Sequence, residues 1–282
     1  MIHIITDSAC DLNQAIIEKY NITMIPINVY SGEQEYKDKE TIMPQELYQR
    51  MVEGEFFKTA QIAPAVFEKH FETYAQKGQP CIYIGFSSGI SSTFDSAVLA
   101  QKMVKEKYPE AVVEVYDSLL TCGMLGMAVQ EAAQMAHRGA DMKEIVEQLD
   151  YFKQKGQHVF TVDNIEYLFK GGRVSRTSAF VGDLLNIKPI LDMHEGKLRT
   201  LEKIRGRKKA ITKLVTHIKE RGGDFSEKVI HVGHSNDQES LDFLLKKINE
   251  ELQPKEIVTE YLGSAVGAHT GPGILSVFFL GK

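Results

Sequence analysis

The 282-residue sequence has no tryptophan, eight prolines and only three cysteines. Cys10, Cys81 and Cys122 are far apart and odd in number, so they offer neither a disulfide framework nor a redox or metal knuckle. Charge of one sign is scarce too. Against 38 Asp+Glu stand 33 Lys+Arg, and a net of −5 repels polyanions wherever basic groups do not cluster. No apolar run approaches the ~18 residues that a membrane helix requires. The start, Met1-Ile2-His3-Ile4-Ile5, reaches Asp7 before a signal-peptide core can develop. G-x-x-x-x-G-K-[ST] is absent, leaving ATP binding unsupported, and neither H-E-x-x-H nor any other metal-ligand spacing occurs. These absences point to a reduced, soluble, cytosolic protein with no metal and no cofactor.

What is present is globular: 43% hydrophobic residues suffice for a buried core. The first half alternates short apolar runs with helical spacings. Ile2–Ile5, Met24–Tyr30, Cys81–Phe86 and Val112–Tyr116 read as strands. Helices fit between them: one capped by Asp11 and carrying Leu12, Ile16 and Tyr20, then Pro44–Val52, Pro64–Gln76, Thr93–Lys105 and Cys122–Ala136. This rhythm predicts a three-layer α/β/α unit around a parallel sheet. After Gly156 it changes. His158–Val162, Lys188–Met193 and Leu198–Ile204 follow closely, the last two across His194-Glu195-Gly196. Helices carrying Ile211, Leu214, Val215, Ile218 and then Leu241, Leu244, Leu245, Ile248 alternate with strands Val229–Val232, Ile257–Tyr261 and Leu275–Leu280. The expected organisation is an α/β protein of two domains, 1–155 with the parallel sheet and 156–282 with a mixed sheet.

Three segments carry candidate chemistry. Gly85-Phe86-Ser87-Ser88-Gly89 matches the G-x-S-x-G nucleophile elbow between a strand and a helix, with His269 as base and Asp163 as the third member of a serine hydrolase. No His-Gly oxyanion segment precedes it, and hydroxyls continue through Ser91, Ser92 and Thr93. The same loop therefore also reads as a helix cap, or as an anion site built from small residues at a helix N-terminus. Thr59-Ala60-Gln61 adds a hydroxyl at a helix entrance, readable equally as plain loop. Gly267-Ala268-His269-Thr270-Gly271-Pro272-Gly273 sets a histidine in a glycine-rich turn with room for a ligand. Between Lys170 and Lys209, eleven Lys/Arg face four Asp/Glu, a local +7. A solvated basic face, an acidic or phosphorylated partner and nucleic acid all fit that charge. Phe180 is the only aromatic within it, which disfavours single-strand binding.

Taken in order, these motifs resemble the DegV family, specifically FakB, the fatty-acid-binding component of bacterial fatty acid kinase. The resemblance runs through Thr6-Asp7-Ser8 with Asp11-Leu12, then Thr59-Ala60-Gln61, Ser87-Ser88-Gly89-Ile90-Ser91-Ser92-Thr93 and Val115-Tyr116-Asp117-Ser118. It continues through Tyr167-Leu168-Phe169-Lys170-Gly171-Gly172-Arg173, Lys203-Ile204-Arg205-Gly206-Arg207 and His269-Thr270-Gly271-Pro272-Gly273. Seven weak motifs in one order span the chain.

The resemblance implies a DegV-like fold enclosing a long-chain, palmitate-like fatty acid. Its carboxylate would be held by Thr59, Ser91 and His269, with Ser92 beside them. It implies a non-enzymatic, monomeric carrier that presents the acid to a separate ATP-dependent fatty acid kinase subunit. The resulting acyl phosphate would feed phospholipid synthesis, and Arg173 and Arg205 would dock the kinase. Two positions depart from the family pattern. Ala60 replaces a serine and removes a hydroxyl; Ser92 replaces a glycine and adds a Cβ and a hydroxyl beside the site.

Overall fold

A computed structural model describes residues 1–174 and 186–282. β1 (His3–Asp7) leads through a 3-10 turn, Ser8–Cys10, to α1 (Gln14–Tyr20) and β2 (Thr23–Ile25). The cap of α1 is Asn13, whose Oδ1 accepts the Ile16 N–H at 3.0 Å; the expected cap, Asp11, lies in a left-handed turn and serves elsewhere. The single strand expected over Met24–Tyr30 is broken at Pro26, which has no N–H to offer a ladder. Its second half, β3 (Asn28–Ser31), joins β4 (Gln34–Lys37) and β5 (Lys58–Ala60) in a small antiparallel sheet ordered β4-β3-β5. That sheet was not legible in the sequence.

α2 (Pro44–Val52) and α3 (Pro64–Ala75) each begin on proline, whose missing N–H costs nothing at a first helical position. β6 (Cys81–Gly85), α4 (Thr93–Lys107) and β7 (Val113–Asp117) complete a parallel sheet ordered β2-β1-β6-β7. Next come α5 (Cys122–His137) and α6 (Met142–Lys155), the latter opened by an Asp141–Glu144 capping box. α4 packs on β6 and β7, and α5 on β1.

β8 (Gly156–Thr161) starts a second, mixed sheet. α7 (Glu166–Lys170), β9 (Ile187–His194), β10 (Lys197–Arg205), α8 (Arg207–Gly222), β11 (Val229–His234), α9 (Gln238–Leu252), β12 (Glu256–Tyr261), α10 (Ser264–Thr270) and β13 (Leu275–Leu280) follow. The order is β10-β9-β8-β13-β11-β12, antiparallel except for β11 with β12. α8 lies across β8, β9 and β10, burying Ile211, Leu214, Val215 and Ile218. The apolar core does not stop where this sheet begins: Phe160, Leu168, Ile274 and Phe278 belong to one cluster with Ile5, Phe67 and Ile84.

α10 is the element that crosses back. It packs against α2, β3 and β5, so a C-terminal helix completes the wall of an N-terminal sheet. Buried carboxylates place its start. Asp38 accepts the Ser264 N–H at 2.8 Å and the Ser8 hydroxyl at 2.8 Å. Asp11 Oδ1 accepts the Gly263 N–H at 2.9 Å and the Lys39 ammonium at 3.0 Å. The expected glycine-rich turn around His269 is therefore the last turn of a short helix whose first turn is clamped from residues 8–39.

Candidate functional site

The site is assembled from three loops and one helix. Its first wall is the turn after β6. The Thr6-Asp7-Ser8 and Asp117-Ser118 motifs shape that turn. Thr6 Oγ1 donates to the Ile84 carbonyl at 2.9 Å, Asp7 accepts the Phe86 N–H at 3.1 Å, and Ser118 Oγ donates to the Gly85 carbonyl at 2.7 Å. Asp117 takes both the N–H and the hydroxyl of Ser88. Four side chains from two other strand ends thus hold residues 84–88, leaving 90–92 to border the cavity described below.

Ser87 is not a nucleophile. It is fully buried, and its hydroxyl donates to the Gly196 carbonyl at 2.7 Å, tying the loop to the β9–β10 turn. His269 instead faces Thr59, while Asp163 pairs with Lys188. The elbow's sequence is explained by packing: a Cβ on Gly89 would sit 2.3 Å from the Gly196 oxygen. The three members of the hydrolase reading have other partners and do not form a triad.

Thr59 and His269, separated by 210 residues, meet with Oγ1 and Nε2 2.7 Å apart. β5 carries the first and α10 the second. Burial, reinforced by the positive charge of Arg173, holds the imidazole pKa down at about 3, so His269 is neutral at pH 7. Its Nδ1 is buried and has no hydrogen-bond partner among the described residues. An unpaired N–H there would cost more than an unpaired lone pair, which favours the tautomer protonated on Nε2. In that tautomer His269 donates to Thr59, and the Thr59 hydroxyl hydrogen is left to donate to something else. Gly171 makes the arrangement possible: a Cβ there would lie 2.3 Å from His269 Nδ1.

Both residues line a cavity of about 180 Å³, together with Ser91, Ser92, Ala60, Gln61 and Arg173. The rest of its wall is mostly apolar, including Ile27, Phe86, Ile90, Phe160, Leu198 and Ile274. Ser91 precedes α4 and hydrogen-bonds Thr93 Oγ1 at 3.1 Å; Ser92 is the exposed cap residue of α4, without a side-chain cap bond. All four residues assigned to the acid head group, Thr59, Ser91, Ser92 and His269, border one space. Arg173 borders it too. Half-buried, it donates to the carbonyls of Ile90 and Gly171, and it also borders a more open groove beside Lys197 and Lys203. Arg205 is exposed at the end of β10, away from this wall.

Much of the basic run is internally paired. Arg199 binds Asp192, Arg207 binds Asp237 and Lys208 faces Glu239; Arg176 lies outside the described residues. Sequence reasoning missed Gln61, whose amide reaches Ser96 at 3.0 Å, and the buried trio Thr121, His158 and Ser276 in the cavity wall. No spacing in the sequence joins those three. Among the described residues, no group of three or more His, Cys, Asp or Glu could hold a metal, and no helix is long and apolar enough to cross a membrane.

The family model described as "Uncharacterised protein, DegV family" matches residues 1–282. The chain belongs to the DegV family. A DegV domain-containing protein of Clostridium perfringens is 35% identical over 281 residues, covering 99% of this chain and 97% of its own. Two solved DegV-type structures share the fold from end to end. A fatty-acid-binding DegV family protein of Thermus thermophilus is 26% identical, with a TM-score of 0.88 over 100% of this chain and 99% of its own. The fatty-acid-binding DegV of Bacillus subtilis is 29% identical, with a TM-score of 0.86 and the same coverage. The architecture, one parallel and one mixed sheet with the small antiparallel sheet beside them, is thus the DegV fold.

The depressed pKa of His269 carries a pH dependence. An unfolded histidine takes a proton near pH 6.5, while the folded one resists to about 3. Its contribution to stability is therefore complete above pH 6.5 and is lost as pH falls toward 3. Thermal denaturation followed from pH 7 to pH 4 is expected to show a falling midpoint, with a shallower fall in His269→Gln. Equal slopes would mean that His269 is not held neutral.

Proposed function

We propose that this DegV protein encloses a long-chain, palmitate-like fatty acid and presents its carboxylate at the Thr59–His269 end of the cavity. The observation that carries this reading is a largely apolar cavity whose wall gathers hydroxyls from separate loops, an imidazole and a guanidinium. An alkyl tail gains ~0.8 kcal/mol for each methylene removed from water, so about a dozen buried methylenes contribute on the order of 10 kcal/mol before binding entropy is subtracted. The anionic head needs hydrogen-bond donors, since a carboxylate stripped of water is costly without them. The Thr59 hydroxyl freed by His269, the Ser91 and Ser92 hydroxyls and the charge of Arg173 meet that need. Relatives that share the fold throughout are fatty-acid-binding proteins.

The carrier role follows from the same geometry. Among the described residues the wall holds no Ser-His-Asp triad, and the sequence holds no G-x-x-x-x-G-K-[ST] loop. A separate ATP-dependent kinase subunit would then phosphorylate the presented carboxylate, and the acyl phosphate would pass to phospholipid synthesis. Arg173, in the wall beside the head group, and exposed Arg205 would meet that subunit.

Fluorescent displacement titration with palmitate tests the binding. Thr59→Ala combined with Ser91→Ala removes two donors to an anion and is expected to weaken affinity by ~100-fold, at about 1.5–3 kcal/mol per charge-assisted bond and with partial compensation. Unchanged affinity would place the head group elsewhere. Arg205→Ala is expected to bind palmitate as the wild type does, yet to support little acyl phosphate formation when the kinase subunit and ATP are added. Full phosphorylation would remove Arg205 from docking.

A further inference from the structure

The cavity wall turns polar a second time, away from the Thr59–His269 pair. His158, Thr121 and Ser276 all border it. His158 Nδ1 lies 2.8 Å from Thr121 Oγ1, and Nε2 lies 3.3 Å from Ser276 Oγ. The imidazole is packed between Phe160, 4.8 Å away, and Phe278, 4.4 Å away. Burial keeps it neutral against the opposing charge of Asp192, and the Cys122 thiol lies against Thr121.

Two paired strands give this cluster a direction. β8 and β13 run antiparallel, with Phe160 opposite Ser276 and His158 opposite Phe278. Ile274, which follows α10 and its His269, lines the cavity, and so does Ser276 two residues on. Phe278, the next residue on that face, does not line it among the described residues. Along β8 the same face carries Phe160, His158 and Gly156 in turn. Phe160 and His158 border the Thr59–His269 cavity; His158 and Gly156 border a separate one of about 80 Å³, with Leu119, Met124 and Lys153. Thr121 borders both. From His158 to Gly156 the strand advances about 6.7 Å. The wall thus passes from the head-group end to the Thr121–His158 hydrogen bond, and beyond that bond a second space begins.

We propose that the Thr121–His158 hydrogen bond, backed by Ser276, is the floor of the acyl cavity and sets the longest chain the protein accepts. This rests on the fatty-acid reading above. A tail ending at the floor leaves the bond intact. A longer one must part Thr121 from His158 and set buried polar groups against methylenes with no partner, which opposes the gain from further burial.

Affinities for a series of saturated fatty acids of increasing length test the floor. His158→Ala joins the two cavities, so the length of tightest binding is expected to move a few carbons upward, by about fourfold in affinity for each additional buried methylene. Thr121→Ala, a smaller change, is expected to move it in the same direction if His158→Ala does not fold. Ser276→Leu fills the near side of the floor and is expected to move the optimum toward shorter chains. Shifts of opposite sign cannot come from general damage to the fold. An unmoved optimum in folded variants would overturn the floor alone; a wild-type protein that binds no acid of any length would overturn the fatty-acid reading and the floor with it.

Discussion

A hydrogen bond of 2.7 Å between Thr59 and His269 joins a strand of the small N-terminal sheet to a helix near the C-terminus. The rest of the site depends on it. With the buried Nδ1 left without a hydrogen, Nε2 donates across this bond and the threonine hydroxyl hydrogen is released. The bond also ties β5 to α10, and hence holds one wall of the cavity. Because the imidazole is buried and neutral, the contact is between two uncharged dipoles; the full charge nearby belongs to Arg173.

The chain spends buried carboxylates to hold this contact. Asp38 and Asp11 lie 5% exposed or less, and each accepts a backbone N–H from the start of α10. Leaving such carboxylates in the interior is unfavourable unless each has partners, and Ser8 and Lys39 supply them. The Thr6-Asp7-Ser8 motif is thereby explained as architecture. Thr6 and Asp7 shape the turn after β6, and Ser8 holds the carboxylate that aims α10. None of the three lines the cavity, yet all bear on the positions of Ser91 and His269.

Legibility in the sequence followed the range of the interactions involved. Proline at the start of α2 and α3, and the i, i+3, i+4, i+7 spacing of Ile211 to Ile218, act within one helix and could be read directly. So could Cys81–Gly85 and the Lys197–Arg205 hairpin strand. The cap of α1 was misread as Asp11 because a carboxylate two residues before Asn13 looks equally suitable until Gly263 and Lys39 are seen to occupy it. The helix around His269 was hidden by its glycines, which suggest a turn unless the distant Asp38 is known to receive its first N–H. Family resemblance singles out Thr59, Ser91, Ser92 and His269 for the head group, and all four border one cavity. Arg173 was assigned to docking on the same ground, but its place in the wall could not be read from Gly171-Gly172-Arg173 alone. His158, Thr121 and Ser276 gave no signal, since nothing local relates residues so far apart.

The account stands on the claim that this cavity encloses an alkyl tail while polar side chains grip an acid head. Organic extraction of the purified, natively folded protein, followed by lipid mass spectrometry, tests it most directly. The account predicts close to one long-chain fatty acid per chain, and a much lower yield from the Thr59→Ala, Ser91→Ala double variant. A protein that yields no lipid and gains none after incubation with palmitate would contradict it.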